Sequence, residues 1–274
     1  MATPVFSGGL TTSHFNVFRV EDRSGMQIQL IRNATLRITY RDHLFITDPY
    51  LAPKHSQQPL IGKSRNPLVD LPMPADDVLV GIEMALVSHL HPDHFDSIAQ
   101  QLLPKNIQVY CQPGDENQIK EAGFANVISI DNNVDWRGIK ITRTTGQHGD
   151  GVWAEQMGSV SGFVFQAENE PTVYWAGDTI WCEAVRQTIL EFKPDIIITH
   201  SGGASFEAGH PIIMDGQQTI KVCRTAPHSI VIAIHMETFD FDTVTRADLR
   251  TLADAEGIDL NQLLIPQDGE TLVF

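Results

Sequence analysis

The chain has 274 residues, 42% of them apolar, with 19 Lys+Arg against 34 Asp+Glu and a formal net charge of −15. That length and apolar content support a sizeable core and exclude a disordered or fibrous chain, while the acidic excess disfavours nucleic acid, whose phosphates it repels at long range. Three cysteines, Cys111, Cys182 and Cys223, stand far apart, a pattern for free thiols in a reducing compartment rather than a disulfide framework. Residues 1–9 hold neither a basic segment nor a long apolar run, so no signal peptide, no membrane span and a cytoplasmic location are expected.

In chain order, alternation of apolar and polar residues predicts three short strands over 26–31, 35–40 and 43–47, separated by tight turns. Residues 49–77 form a long loop held in an irregular path by six prolines, from Pro49 to Pro74. Strand–helix units follow: strand 85–88, helix 95–103 stopped by Pro104, strand 108–111, helix 115–122 stopped by Gly123, and strand 127–130. Strands at 139–144, 162–166 and 172–176 precede helix 180–192, strand 196–199, helix 215–224, strand 230–234 and helix 246–255. No long linker or fixed-period repeat interrupts the series. One domain over residues 1–274 is expected, with two sheets covered by helices and ligands at the carboxyl ends of strands.

The run Ser88-His-Leu-His-Pro-Asp-His94 places three imidazoles and a carboxylate within six positions, directly after an apolar strand. These are the donor types that hold zinc, manganese or iron. His89 and His91 are two apart and share a side at a strand end, whereas Pro92 suits the first turn of a helix from which Asp93 and His94 project. Further candidates also follow strands. Asp178 in Trp175-Ala-Gly-Asp-Thr179 serves either as a ligand or as the N-cap of the next helix. His235 ends the most apolar strand and, alone, reads as a core histidine, and His148 sits in a glycine-rich turn.

Taken in order, Thr47-Asp48-Pro49, His89-x-His91-x-Asp93-His94, His148, Gly177-Asp178-Thr179 and His235 resemble the metallo-β-lactamase-fold hydrolases over nearly the whole chain. Asn33-Ala-Thr-Leu36, Pro194-Asp195 and His235-Met-Glu-Thr-Phe239 look most similar to the branch containing L-ascorbate-6-phosphate lactonase and the N-acylphosphatidylethanolamine phospholipase D-type enzymes. Two departures are Asn33, where that branch often has histidine, and Thr199-His200-Ser201-Gly-Gly203, where a Pro-x-Gly-Gly-type turn is common. The resemblance implies an α/β fold, an αββα sandwich of two mixed sheets. It implies one metal held by His89, His91 and His148, another held by Asp93, His94 and His235, and Asp178 bridging both. Asp48 is similar to the family's outer carboxylate, which fixes the tautomer of a ligand imidazole.

Two adjacent divalent ions, zinc or manganese with iron as a further option, would lower the pKa of a bridging water and polarise the substrate oxygen. Asp93 is placed to orient the resulting hydroxide and accept its proton, and His200 or His210 to protonate the leaving group or bind substrate. His200 is equally readable as structural. Lys54, His55, Lys63 and Arg65 make the long loop locally basic, for capture of a carboxylate or phosphate or simply as a solvated surface. Trp153 and Trp181 lie near His148 and Asp178 and are candidates for a pocket wall, Trp181 equally for helix packing. The leading expectation is a dinuclear hydrolase of a small lactone or carboxylic ester. A phosphodiesterase and a metal-stabilised binding protein without activity are the alternatives. The sheet-and-helix surfaces leave self-association into a homo-oligomer open.

Overall fold

Period-two alternation of buried side chains decides which face of each strand meets the core. The computed structural model describes residues 25–274 except Leu60 and Ala208; the N-terminal segment on which the absence of a leader was read lies outside the described residues. Strands β1 (Gln27–Arg32), β2 (Thr35–Tyr40) and β3 (His43–Thr47) form an antiparallel meander. It continues in parallel through β4 (Met84–Val87), β5 (Gln108–Cys111) and β6 (Asn126–Ser129). The second sheet starts antiparallel with β7 (Asn133–Trp136), β8 (Ile139–Thr145), β9 (Ser161–Gln166) and β10 (Val173–Trp175). After β11 (Ile196–His200), a small hairpin of β12 (Ser205–Glu207) and β13 (His210–Pro211) leaves the sheet. The sheet then ends in parallel with β14 (Ile230–Ile234) and β15 (Leu263–Leu264), and β16 (Thr271–Val273) returns to pair with β1 of the first sheet.

Each sheet is thus mixed. Parallel neighbours require crossovers, which helices supply. Helices α1 (Ala75–Val78), α2 (Ser97–Leu102) and α3 (Glu116–Glu121) cover the first sheet, burying Val78, Ala99 and Ile119 against Ala85, Val87 and Val109. After α4 (Gly151–Met157), helices α5 (Glu183–Phe192), α6 (Gly216–Thr225) and α7 (Arg246–Ala255) cover the second, burying Val185, Ile220 and Leu249 against Tyr174, Ile197 and Val231. The opposite parity faces inward. Met84 and Leu86 of one sheet meet Trp175, Ile198 and Ile232 of the other. The result is the expected αββα sandwich.

Boundaries differ from the sequence expectation where a cap intervenes. The helix expected from residue 95 begins at Ser97, because the Asp96 side chain accepts a hydrogen bond from the Ala99 amide. Asp93 and His94 therefore project from a hydrogen-bonded turn, closed by the His94 amide on the His91 carbonyl at 3.0 Å, and not from a helix. The helix expected from residue 180 begins at Glu183 with Cys182 at its cap, so Asp178 is not an N-cap. The short elements β7, α1, α4, β12, β13, β15 and β16 were not anticipated; each is too brief or too near the surface for its periodicity to stand out.

Candidate metal centre

Every candidate ligand lies just beyond the carboxyl end of a strand on one rim of the sandwich. Asp48 follows β3, the 88–94 run follows β4, His148 follows β8, Asp178 follows β10, His200 ends β11 and His235 follows β14. Gly177, at φ +69°, makes the turn into Asp178 possible: a Cβ there would lie 2.4 Å from the Ser161 carbonyl oxygen. His235 itself takes a left-handed conformation, φ +61°, an uncommon state for a residue with a side chain and one that gathers at functional sites.

These turns bring two triads together, His89/His91/His148 and Asp93/His94/His235, each with donor atoms mutually within 4.8 Å. The Asp178 carboxylate stands between them. Its Oδ2 lies 3.1 Å from His94 Nε2, 3.4 Å from His148 Nε2 and 3.8 Å from His89 Nε2, and its Oδ1 lies 3.7 Å from His235 Nε2. Asp93 Oδ2 is 3.3 Å from both His94 Nε2 and His235 Nε2.

The outer contacts fix which ring nitrogen carries a proton. Asp48, fully buried, accepts from the Ser88 amide, from Ser88 Oγ and, at 2.6 Å, from His94 Nδ1. Because the Ser88 hydroxyl spends its one proton on Asp48, its oxygen must accept from His89 Nδ1, 2.9 Å away. His148 Nδ1 donates to the Ile212 carbonyl at 2.7 Å. In His89 and His148, both held below the imidazole range, the lone pair is left on Nε2, turned into the cluster. In His94, burial is outweighed by the carboxylates Asp178, Asp93 and Asp48, which raise it well above that range; its Nδ1 is committed to Asp48 and Nε2 is the atom that faces the cluster. The Nε2 atoms of His89, His94, His148 and His235 are buried without a hydrogen-bond partner. Buried polar atoms are rarely left so, and four convergent imidazole nitrogens around two carboxylates are the donor set of a divalent transition-metal site. The residues fit the ions.

Of the two parts open to His200, acid or structural residue, its contacts fit the structural one. Its fully buried ring follows the inward parity of Ile196 and Ile198, and its Nε2 accepts from Trp175 Nε1 at 3.0 Å. Indole nitrogen only donates, so the His200 proton must sit on Nδ1, where it is given to Asp178 Oδ1 at 2.5 Å. Burial pushes this imidazole down to about 4, which keeps it neutral. With both nitrogens committed and no path to the pocket, His200 braces Asp178.

Electrostatics around the cluster follow from burial and opposed charge. Burial, with His94 beside it, holds His89 well below the usual imidazole range, and burial likewise lowers His148. For Asp93 and Asp178, burial acts upward but is outweighed by the neighbouring imidazoles, His94 foremost, leaving both well below the carboxylate range. Burial raises Asp48, yet the three donors converging on it require carboxylate lone pairs, and it stands ionised.

Residues 43–236 match the family model of the beta-lactamase superfamily domain. The chain belongs to that superfamily. It is 36% identical over 255 residues to the UPF0173 protein YddR of Bacillus subtilis (strain 168), covering 91% of this chain and 100% of that protein. The structure of a possible metal-dependent hydrolase from Veillonella parvula DSM 2008 matches with a TM-score of 0.88 at 33% identity, over 92% of this chain and 100% of that one. That of isothiocyanate hydrolase from Delia radicum gut bacteria matches with a TM-score of 0.85 at 35% identity, over 91% of this chain and 99% of that one. Within the superfamily the chain is thus a metal-dependent hydrolase of the UPF0173 family.

As in a hydrolase site, the cluster opens into a cleft, here of about 350 Å³, floored by His91, Asp93, His148, Asp178 and His235. Its walls are mainly apolar, with Trp153 and Met157 of α4, Phe206 of the small hairpin, Ile212, Phe241 and Ile61 of the long loop, and Gln156 of α4 as a polar member. Trp153 and Phe206 meet edge-on at 5.4 Å, as do Phe206 and Phe241. Among the described residues no lysine or arginine lines this cleft. Of the residues expected to touch substrate, Trp153 lies in the wall. Lys54, His55, Lys63 and Arg65 lie outside it, Arg65 being spent on the His55 and Ser56 carbonyls. His210 pairs with Asp150 at 3.1 Å outside the lining, and Trp181 packs at the second sheet's outer face with Lys221 over its ring at 5.4 Å. Sequence reasoning missed the apolar wall, which is assembled from four separate segments, and Trp175, whose inward parity with Val173 was its only signal.

No helix among the described residues is long and apolar enough to cross a membrane.

Proposed function

We propose that this hydrolase adds water to the electrophilic carbon of a small, uncharged, apolar substrate, with isothiocyanates as the leading class. The observation that carries this is the cleft itself: aromatic and aliphatic walls above a His/Asp floor, without a lysine or arginine among its described lining residues to hold a phosphate or carboxylate. The likeness to isothiocyanate hydrolase at 35% identity over 91% of the chain supports the same class. An acidic surface, net −15, adds to the bias against anions.

His89, His91 and His148 would hold one ion and Asp93, His94 and His235 another, with Asp178 shared between them. Divalent zinc or manganese held there supplies Lewis acidity, polarising the electrophile and bringing the pKa of water toward neutrality. Asp93 is half-buried at the cleft floor and has an oxygen free to orient the attacking water and take its proton. The water oxygen bonds to the central carbon of R–N=C=S, and the displaced π pair goes to nitrogen, which receives the proton from Asp93. The resulting thiocarbamate loses its C–N bond, nitrogen takes the remaining proton, and amine and carbonyl sulfide leave. Trp153, Phe206 and Phe241 bind the R group and exclude bulk water.

A lactone or carboxylic ester, the chemistry implied by resemblance to the lactonase branch, also presents a neutral carbonyl carbon to this cleft and is the second reading. The test is a panel of benzyl isothiocyanate, small lactones and a phosphodiester offered to zinc- or manganese-reconstituted protein. Amine and carbonyl sulfide from the isothiocyanate, with the phosphodiester untouched, is the expected result. Turnover confined to the phosphodiester would overturn the proposal, and turnover confined to lactones would replace the leading class by the second.

A further inference from the structure

Asn33 stands in the turn between β1 and β2, buried, in a left-handed conformation at φ +58°. Glycine adopts that conformation without strain, so the turn by itself does not call for an amide. The side chain reaches across to the ligand run: Nδ2 donates to the Asp93 carbonyl at 3.1 Å and to Asp93 Oδ2 at 3.3 Å. That Oδ2 is the oxygen lying between His94 Nε2 and His235 Nε2. The Asn33 carbonyl, meanwhile, accepts from the His235 amide at 3.1 Å. One residue of the first sheet therefore grips two members of a triad, one from each sheet. The amide also leaves its Oδ1 buried without a partner, a cost that glycine would avoid.

We infer that Asn33 is a positioning residue for the Asp93/His94/His235 metal position: its amide sets the rotation of the Asp93 carboxylate so that Oδ2 faces the two imidazoles. This rests on the ligand assignment proposed above, and not on the substrate. Where a donor fixes one carboxylate oxygen, the ligand is ordered before the ion arrives, and loss of such outer partners weakens metal binding by about tenfold to a hundredfold.

The test is a cycle of N33G, D93A and the double variant, with N33D alongside, read by cobalt affinity in competition with a chelator and by the cobalt d–d absorption. N33G keeps the backbone conformation, so its metal-free melting should match wild type. Its cobalt affinity should fall by about tenfold to a hundredfold, with an altered d–d envelope, and the same change should cost nothing further in D93A. N33D, which sets a carboxylate against Asp93, should lose at least as much, and it remains readable should D93A not fold. Wild-type affinity and spectrum in N33G would overturn the inference alone, as would an equal loss in the D93A background. A wild-type protein that binds no cobalt would overturn it together with the ligand assignment. Absence of isothiocyanate turnover would count only against the substrate class.

Discussion

A histidine with both ring nitrogens committed in the folded protein cannot deliver a proton, and His200 is in that state between Trp175 and Asp178. H200A should therefore lose metal before it loses any acid step: with Asp178 unbraced, metal affinity is expected to fall by about tenfold to a hundredfold. W175F, which frees Nε2 and removes the tautomer constraint, should show a smaller loss of the same kind. Metal analysis after dialysis checks both, and an H200A protein that keeps its metal yet loses turnover would restore His200 as an acid. At this scale the ligand run was legible from 88–94, because consecutive donors at a strand end need no tertiary information. The bracing roles of Ser88, Trp175 and Asn33 were not legible. Each depends on which atom of a distant residue lies within about 3 Å, and strand parity marks the facing side without naming the partner.

The cleft is built from elements that the sequence hides. The hairpin β12–β13, helix α4 and the loop bearing Phe241 are short, and they pack on one another through Trp153, Phe206, Phe241 and Ile212 rather than on either sheet. The longer strands, by contrast, were readable within a residue or two, because β9, β10, β11 and β14 are buried on both faces and read as near-continuous apolar runs. F206A should raise KM for an apolar isothiocyanate several-fold with metal content unchanged, since the wall binds the R group equally in ground and transition states. A fall in kcat at constant KM would contradict that role. The loop after His235 carries a second consequence. Asp242 is buried, accepts the Thr238 and Phe239 amides on one oxygen, and leaves the other unpartnered. Burial pushes this carboxyl up to about 7, against about 3.9 in an unfolded chain. Folding thus favours its protonated form. Its contribution becomes increasingly unfavourable as pH rises from about 4 to about 7. D242N should accordingly gain stability over wild type at pH 8 and gain less at pH 5; denaturant unfolding of metal-free protein checks the sign.

Across the whole molecule, the candidate ligands come from both sheets and meet at one rim, so metal held there would also act as a clasp. A ligand present at roughly 1,000 times its Kd stabilises the folded state by about 4 kcal/mol. At roughly 2–4 °C per kcal/mol for chains near this size, chelation should lower Tm by about 10 °C. An unchanged Tm on chelation would mean that the sandwich does not lean on its metal. The αββα architecture was legible because the strand–helix alternation and the ordered ligand motifs agree. The proposed substrate class was not legible, because it rests on a wall that forms only when four separate segments meet. The most direct measurement is titration of metal-free protein with zinc while following loss of benzyl isothiocyanate, in wild type and in D178A. The dinuclear assignment predicts activity that rises from zero to a plateau at two equivalents in wild type, with neither metal retention nor turnover in D178A. Full turnover by the chelated protein, or by D178A with its metal intact, would contradict it.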